Sequence, residues 1–317
     1  MIELFIKNGD TIYTPIVQEG VALNLERKQT GKLTFSVMKD QAINFTEGNL
    51  VNLIIDGHNM FHGFVFSKQR DKSGIIKVTA YDQMRYLKNK DTYVYKEKTA
   101  GEVITMIAED FRLKTGVIED TGYVIPRKIE DNQTLLDIIL NALDDTLVHT
   151  KRMFILYDDF GSLTLRDVQS LKLDLVIDEE TGENFDYTSS IDNQTYNKIK
   201  LIFENEETGM RDVYIAQDGE HINQWGVLQF FDTIKDANVG KVKADALLSL
   251  YNQKSRNLSI KGAFGDVRVR AGSAVIVNLH LGDIILGTYM MVEKVTHTFE
   301  ESAHTMSLTL VGGEFVG

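Results

Sequence analysis

Alternation of apolar and polar residues dominates both ends of the chain. In LTFSV (33–37), and again at Val51, Leu53 and Ile55, every second side chain is apolar. Alternate side chains of a β-strand point to the same face, so this period of two predicts strands with one buried face. The residues DGHN (56–59) are a strong turn signal between two such runs, and they predict an antiparallel hairpin.

A helical period marks the middle of the chain. The residues TAGE (99–102) match the capping box, in which threonine and glutamate side chains satisfy free N–H groups at the start of a helix. Apolar residues then recur at three- and four-residue spacing, which predicts a helix from 99 and another over about 133–148. The next run predicts a hairpin that turns at 158–161, and a later stripe predicts a helix over about 236–253.

The last two apolar runs allow a register to be predicted. We expect a hairpin with its turn centred between Glu301 and Ser302, in a four-residue loop rather than a tight Glu-Ser turn. The resulting pairs are Val295–Leu308, His297–Met306 and Phe299–His304 on one face, and Thr296–Ser307 and Thr298–Thr305 on the other. One face is then largely apolar and the other polar, as a half-buried antiparallel sheet requires.

Two hairpin sequences share one layout. The stretches GNLVNLIIDGHNMFHGFVF (48–66) and GSAVIVNLHLGDIILGTYM (272–290) both begin with glycine and carry a second glycine fifteen residues later. Their alignment places the first turn on HLGD (280–283) and, with one gap, LTF (33–35) on LSI (258–260). The structural repeat positions are then Gly48 with Gly272 and Gly63 with Gly287. The shared order predicts a duplicated β unit, although unrelated antiparallel hairpins can align by chance in a chain with 24 glycines.

The change of pattern divides the chain into three parts. Residues 1–92 are predicted to form a first β domain, 93–190 an inserted α+β domain, and 191–317 a second β domain that contains the helix at about 236–253. In this division Gly63 and Gly287 lie within or at the start of strands, where glycine usually marks a bulge or a close backbone approach.

Composition narrows the classes of function. The 317 residues are 43% hydrophobic and 25% charged, which is typical of a soluble globular protein of two or three domains. The formal net charge of −12 disfavours tight binding to nucleic acid or to anionic lipid. The absence of cysteine excludes disulfides and cysteine-based metal sites. No apolar run approaches a membrane span, so we expect synthesis in a bacterial cytoplasm without membrane insertion.

Catalytic and cofactor motifs are absent from the sequence. It contains no phosphate-binding glycine loop, no HExxH and no GxSxG, so no cofactor is predicted and the protein is predicted not to be an enzyme. Of the seven histidines, structural roles are favoured for the pair His58 and His62 and for the pair His297 and His304. His297 and His304 share a face, with Glu293 as the one conceivable third metal ligand, but no metal site is predicted.

Paired carboxylates are the remaining candidates for catalysis. Asp144 with Asp145, and Asp158 with Asp159, could in principle support glycoside hydrolysis. A solvated helix face and turn chemistry are the preferred interpretations of the two pairs.

Several segments resemble phage tail hub proteins. GTYMMVEKVTHTF (287–299) and HTMSLTLVGG (304–313) resemble the end of such proteins, and FHGFVFSKQRD with GIIKVTAYDQMRYLKNK (61–90) resembles their first barrel. The inserted block, TAGEVITMIAEDF through DNQTLLDIILNALDDT to FILYDDFGSLTLRD (99–167), is similar to the middle of the hub protein of PBSX-like prophages. The resemblance spans most of the chain and depends on the order of weak motifs.

The resemblance implies a baseplate hub of a contractile tail, in a phage or a phage-derived bacteriocin. The implied fold class is α+β, mainly β, with two related tube-like antiparallel β-barrel domains flanking an inserted α+β domain. The implied partners are two further copies in a homotrimer, the tail tube protein and the spike protein, with the tape measure and other baseplate proteins beyond them. Two alternatives are a tail-associated peptidoglycan hydrolase and a cell-surface glycan-binding tail protein. The second alternative predicts an exposed aromatic patch.

Overall fold

The computed structural model confirms a mainly β fold of the α+β class. It describes residues 1–39, 42–70, 72–192, 194–205, 209–234, 237–280 and 285–312. Two predicted features lie partly outside these ranges, namely the turn HLGD (280–283) and the beginning of the helix expected from about 236. Within the described ranges, no helix has the length and apolar character needed to cross a membrane.

The first part of the chain forms seven antiparallel strands in the order β3-β4-β7-β6-β5-β1-β2. The strands are β1 (Ile2–Asn8), β2 (Thr11–Tyr13), β3 (Val17–Glu26), β4 (Lys32–Met38), β5 (Leu50–Ile55), β6 (His58–Arg70) and β7 (Ile75–Tyr81). Val51, Leu53 and Ile55 are buried on one face of β5, as their period predicts. Asp56 and Gly57 both have positive φ angles, as a two-residue hairpin turn requires.

The inserted part packs two helices against short strands. After a 3-10 helix (Gln83–Lys88) the elements are β8 (Lys90–Thr99), α1 (Ala100–Asp110), β9 (Thr115–Ile118), β10 (Val124–Thr134), α2 (Leu135–Thr150), β11 (Phe154–Asp158), β12 (Leu163–Asp167) and a second 3-10 helix (Val168–Leu171). The predicted capping box at the start of α1 is present, with both reciprocal bonds between Thr99 and Glu102. The apolar stripes of both helices are buried in one core with Phe154 and Leu163.

The last part of the chain contains two sheets. Its elements are β13 (Lys172–Ile177), β14 (Asn184–Ser190), β15 (Lys198–Glu204), β16 (Arg211–Gln217), α3 (Gly219–Trp225), β17 (Gln229–Ile234), a 3-10 helix (Ala237–Val239), α4 (Gly240–Tyr251), β18 (Ser255–Phe264), β19 (Ala274–His280), β20 (Ile285–Phe299) and β21 (His304–Gly312). Strands β16-β15-β17 form a small sheet covered by α4, with its own core. The other strands belong to the large sheet.

Strand pairing does not follow the predicted division at residue 190. Strands β13 and β14 pair with β19 and β18, so residues 172–190 belong to the second β unit rather than to the inserted domain. The small sheet with α4 is a second insertion, between β14 and β18. The division failed because the partners of β13 and β14 lie far along the chain, and pairing between distant strands leaves no local pattern in the sequence.

The register of the last hairpin is confirmed at every predicted pair. Val295 lies opposite Leu308, His297 opposite Met306, and the remaining three pairs match as well. Residues 300–303 form a four-residue loop that is closed by two backbone hydrogen bonds between Glu300 and Ala303. The predicted apolar face is buried, including the His297 side chain.

The same strand order occurs twice. In the first unit it is β3-β4-β7-β6-β5-β1, and in the second it is β14-β18-β21-β20-β19-β13. The corresponding strands also follow one another in the same order along the chain. One difference is that β1 runs antiparallel to β5, whereas β13 runs parallel to β19.

The two units are joined into one sheet. The second half of β20 pairs with β3 from Lys294 opposite Glu26 to Phe299 opposite Val21. Phe299 is thereby buried in the core of the first unit, although it belongs to a strand of the second. Local periodicity could not reveal this contact, because its partners are far apart in the sequence.

Candidate assembly interface

A β-bulge at the same place aligns the two units residue by residue. In the first unit the pairs Val65–Ala80 and Ser67–Thr79 leave Phe66 unpaired between β6 and β7. In the second, Val292–Leu310 and Lys294–Thr309 leave Glu293 unpaired between β20 and β21. Bulges bend and twist a strand at a fixed position, so a matching bulge fixes the alignment more firmly than strand order does.

Gly48 and Gly272 occupy corresponding positions at the bulge. Each has a positive φ, +85° and +93° respectively, two residues before its strand. The Gly48 N–H donates to the Val65 carbonyl at 2.7 Å, and the Val65 N–H donates to Asn49 at 2.8 Å. The equivalent bonds in the second unit are Gly272 to Val292 at 2.8 Å and Val292 to Ser273 at 2.7 Å.

The pairing corrects the alignment of the second glycine pair. Gly63 lies opposite Val51, whereas Met290 lies opposite Val275, the residue that corresponds to Val51. Gly287 lies opposite Asn278 instead. Eleven residues lie between Val51 and Gly63, whereas fourteen lie between Val275 and Met290. The ungapped alignment is therefore wrong by three residues after the turn of the longer hairpin.

Gly63 and Gly287 also differ in their surroundings. A Cβ atom on Gly63 would lie 2.3 Å from the Tyr81 carbonyl oxygen and 2.5 Å from Cζ of Phe61. The close backbone approach expected for a strand glycine is therefore present at Gly63. A Cβ on Gly287 would meet no atom of the described residues within 4 Å.

Polar side chains fix the junction between β3 and β20. Arg27 donates from Nε to Oε2 of the bulge residue Glu293 at 2.5 Å, and the Arg27 N–H bonds the Glu293 carbonyl at 2.9 Å. Thr296 donates to Oδ1 of Asn24 at 2.8 Å, and Lys294 lies 3.3 Å from Glu26. These contacts reinforce the backbone ladder and specify one register for the junction.

Two histidines lie in the last hairpin beside this junction. Nε2 of His297 is 2.9 Å from the Val269 carbonyl oxygen, which can only accept, so that nitrogen carries the proton. Nδ1 of His297 therefore accepts from Nε2 of His304, 2.9 Å away. Burial, followed by the nearby His304, lowers the pKa of His297 to about 4. In the described residues, no three acidic or histidine side chains are grouped as a metal site would need, and Glu293 binds Arg27.

A buried carboxylate cluster lies where the inserted part meets both β units. Asp82 accepts from the N–H groups of Gly31 at 2.9 Å and Met84 at 3.0 Å, and burial and then Asp158 raise its pKa well above the usual range. Burial also raises the pKa of Asp158, whose Oδ1 accepts from the Gly161 N–H. Arg270 donates to the Asp158 carbonyl at 2.7 Å.

Of the four paired carboxylates considered for hydrolysis, Asp145, Asp158 and Asp159 form ion pairs or accept hydrogen bonds, whereas Asp144 lines a cleft. Asp145 forms an ion pair with Lys128, and its neighbour Asp144 lines a cleft of about 880 Å³ between α2, β14 and β18. Asp159 lies 3.4 Å from Arg270 at the turn of the β11–β12 hairpin. In the part of the chain that the structure describes, the exposed large aromatic side chains are Phe185, Phe231 and Phe264, each in a different strand.

Known proteins are similar to this chain in sequence or in fold. The model of the YQBQ-like family matches residues 21–311. The phage-like element PBSX protein XkdQ of Bacillus subtilis (strain 168) is 32% identical, with 98% of this chain and 97% of that protein covered. The 43 kDa tail protein of prophage MuSo2 from Shewanella oneidensis has the same fold, with a TM-score of 0.73 at 13% identity over 99% of this chain and 100% of that one.

A secretion-system protein shares the fold as well. The E. coli c3393 protein, a type VI secretion component described as similar to the T4 tail proteins gp27 and gp5, gives a TM-score of 0.62 at 11% identity, with 99% of this chain and 78% of that one covered. Likeness at this identity shows the fold alone, whereas the family match and the relative from the PBSX element each span nearly the whole chain. The chain thus belongs to the YQBQ-like family.

Proposed function

We propose that this protein is the non-enzymatic hub of a contractile-tail baseplate. Three chains form a ring that joins the tail tube to the central spike, in a phage or a phage-derived bacteriocin. The tape measure and other baseplate proteins would contact the same ring. The tail-protein fold and the relative from a phage-like element support this assignment.

The observation that carries the proposal is the repeated strand order with its matching bulge. Two similar units in each chain give a three-chain ring six similar surfaces. One face of such a ring matches a six-fold tube, while the whole ring keeps the three-fold symmetry of a spike. The symmetry mismatch between tube and spike is then absorbed within each chain.

The charge of the chain suits a ring through which nucleic acid passes. At a formal net charge of −12, the protein lacks the excess of basic groups that binds phosphates through release of counterions. DNA would therefore pass without being held by the ring.

Electron microscopy of the purified protein, alone and mixed with its tube and spike proteins, tests the proposal. We expect end-on views of a three-fold ring with six similar lobes, to which the tube protein and the spike protein add on opposite faces. Single lobed particles that bind neither protein would contradict the proposal. Clearing of cell wall in a gel, lost on Asp158→Asn, would favour the hydrolase, and binding to whole cells would favour the glycan-binding protein.

A further inference from the structure

Within the described residues, two strand edges that correspond to the joined edges of β3 and β20 have no strand partner. The first is β14, the counterpart of β3, which within the described residues pairs with β18 alone. The second is the end of β6 at residues 67–70, the counterpart of the half of β20 that bonds β3. That segment pairs with β7 on one side, while its pairing with β5 ends at Phe64. Unpaired edges are templates for a further strand.

We infer that the free edge of β14 pairs with the end of β6 in a second copy of this chain. This contact reproduces between chains the junction that β3 and β20 form within one chain. The inference rests on the proposed function for the ring, but its register comes from the structure of the chain itself. Each copy has one edge of each kind, so the contact is head-to-tail and can close a ring.

The internal alignment gives the register of the new pair. The pairs Leu23–Leu33 and Tyr187–Leu258 occupy the same place in the two units, because Leu33 and Leu258 lie opposite Ala80 and Leu310 beside the two bulges. Transfer of the β3–β20 register then places Ser67 opposite Ser190, Lys68 opposite Ser189, Gln69 opposite Thr188 and Arg70 opposite Tyr187. The pairing is antiparallel, as it is between β3 and β20.

Burial supports an occupant for the β14 edge. Val21 of β3 is 1% exposed, because β20 covers it with Phe299. Phe185 has the corresponding position in β14 and is 42% exposed. In the transferred register Phe185 lies two residues beyond the last pair, Arg70 with Tyr187, on the same face of β14 as Tyr187. A second copy on this edge would lie next to this aromatic side chain, whose burial is favourable.

Charge complementarity identifies a second copy as the occupant. The segment DEETGENFD that leads into β14 carries five acidic residues: Asp178, Glu179, Glu180, Glu183 and Asp186. The end of β6, the turn after it and the facing strand β7 carry one acidic residue, Asp71, and four basic residues: Lys68, Arg70, Lys72 and Lys77. Opposite charges on the two edges steer encounter and disfavour the pairing of two identical edges.

A designed disulfide tests the register directly, because the chain has no cysteine of its own. Gln69 and Thr188 take the places of Thr296 and Asn24, whose side chains lie within hydrogen-bond distance across the junction. Hydrogen-bonded and non-hydrogen-bonded pairs alternate along an antiparallel ladder. Arg27 and Glu293 are a hydrogen-bonded pair, so Asn24 and Thr296, three residues along, are a non-hydrogen-bonded pair. The Cα atoms of such a pair, and of Gln69 and Thr188 in its place, are about 4.5 Å apart, which a disulfide can span. Both side chains are exposed, so the substitutions leave the cores intact.

The expected result for Gln69→Cys with Thr188→Cys is an oxidised product that reaches three chain masses on a non-reducing gel. Reductant should return it to a single chain. Asn24→Cys with Thr296→Cys is the positive control and should form its disulfide within one chain. Gln69→Cys with Asp186→Cys is the matched negative control, because a diagonal neighbour two residues further on lies about 7–8 Å away, beyond the range of a disulfide.

The mass of the wild-type protein in solution is measured together with the cross-linking. The two results together distinguish a failure of the strand pairing from a failure of the proposed function. A trimeric protein in which Gln69→Cys with Thr188→Cys fails to link chains, or in which the shifted pair links instead, overturns the strand pairing and leaves the hub in place. A disulfide formed within one chain overturns it as well. A monomeric protein without any link between chains overturns both.

Discussion

At Gly63 the backbone of β6 lies too close to β7 for any side chain. An added Cβ would lie 2.3 Å from the Tyr81 carbonyl oxygen, which belongs to a paired strand and cannot move freely. We expect Gly63→Ala to lower the free energy of unfolding by about 1–3 kcal/mol, the usual cost of overpacking. Chemical denaturation measures the change.

Gly287→Ala is the matched control at the other repeat glycine. Its Cβ meets nothing in the described residues, so stability should stay the same or rise by a few tenths of a kcal/mol. Equal destabilisation by the two substitutions would contradict the corrected alignment, in which Gly63 corresponds to Met290.

His297 should make the protein sensitive to acid. Its pKa is lowered from 6.5 to about 4 by burial and by His304, so between these values the unfolded chain binds a proton that the folded chain does not. Stability from this residue is then full above about pH 6.5 and is lost as the pH falls toward 4, by roughly 3 kcal/mol in all. Protonation at Nδ1 would also remove the acceptor for His304.

His297→Gln tests this pH dependence. Its amide can still donate to the Val269 carbonyl, but it does not titrate. The free energy of unfolding, measured from pH 4 to 7, should fall less steeply in this variant than in the wild type. His58→Gln, at the exposed first residue of β6, is the control for the substitution itself. Identical slopes for all three proteins would contradict the assigned role.

At the scale of the elements, Arg27 joins the end of β3 to the bulge residue of β20. Its side chain bonds Glu293 at 2.5 Å, is 16% exposed, and also lies 3.7 Å from Sδ of Met153 in the inserted part. Arg27→Ala should lower the free energy of unfolding by about 1–3 kcal/mol, because a charged hydrogen bond is lost in a half-buried place. Thermal and urea denaturation measure the effect.

Lys294→Ala at the same junction provides the comparison. The Lys294–Glu26 pair is about half exposed, so its loss should cost about 0–1 kcal/mol. If both substitutions cost the same, the junction would not depend on the contact between Arg27 and the bulge.

Elements with a strong local signal could be predicted from the sequence. The capping box at Thr99 and the register of the β20–β21 hairpin are present as predicted, because neighbouring residues determine both. Helix α3 was missed, since none of its residues is buried and it has no apolar period. The β3–β20 junction could not be predicted, because pairing between distant strands leaves no local pattern.

The repeat shows the same limit at the candidate interface. Gly48 and Gly272 both have a positive φ angle. The sequence indicates this correspondence, because a glycine precedes each of the two strands. The predicted correspondence of Gly63 with Gly287 was wrong, because the ungapped sequence alignment contains no information on hairpin length, and the second hairpin is longer by three residues. The matching bulges at Phe66 and Glu293 have no residue type in common, so only strand pairing reveals them.

At the scale of the whole molecule, the two units share one strand order and one sheet. A single chain therefore contains one complete unit-to-unit junction, and a ring needs the same junction between chains. The acidic segment before β14 and the basic end of β6 give the contact its direction. Salt should weaken the association, since screening reduces the attraction between exposed charges.

The mass of the protein in solution tests the account most directly. Light scattering after gel filtration, alone and with the spike protein, should give about three times the 35.9 kDa of one chain in at least one condition. A monomer in both conditions, with no binding to the spike protein, would contradict the ring and the hub together.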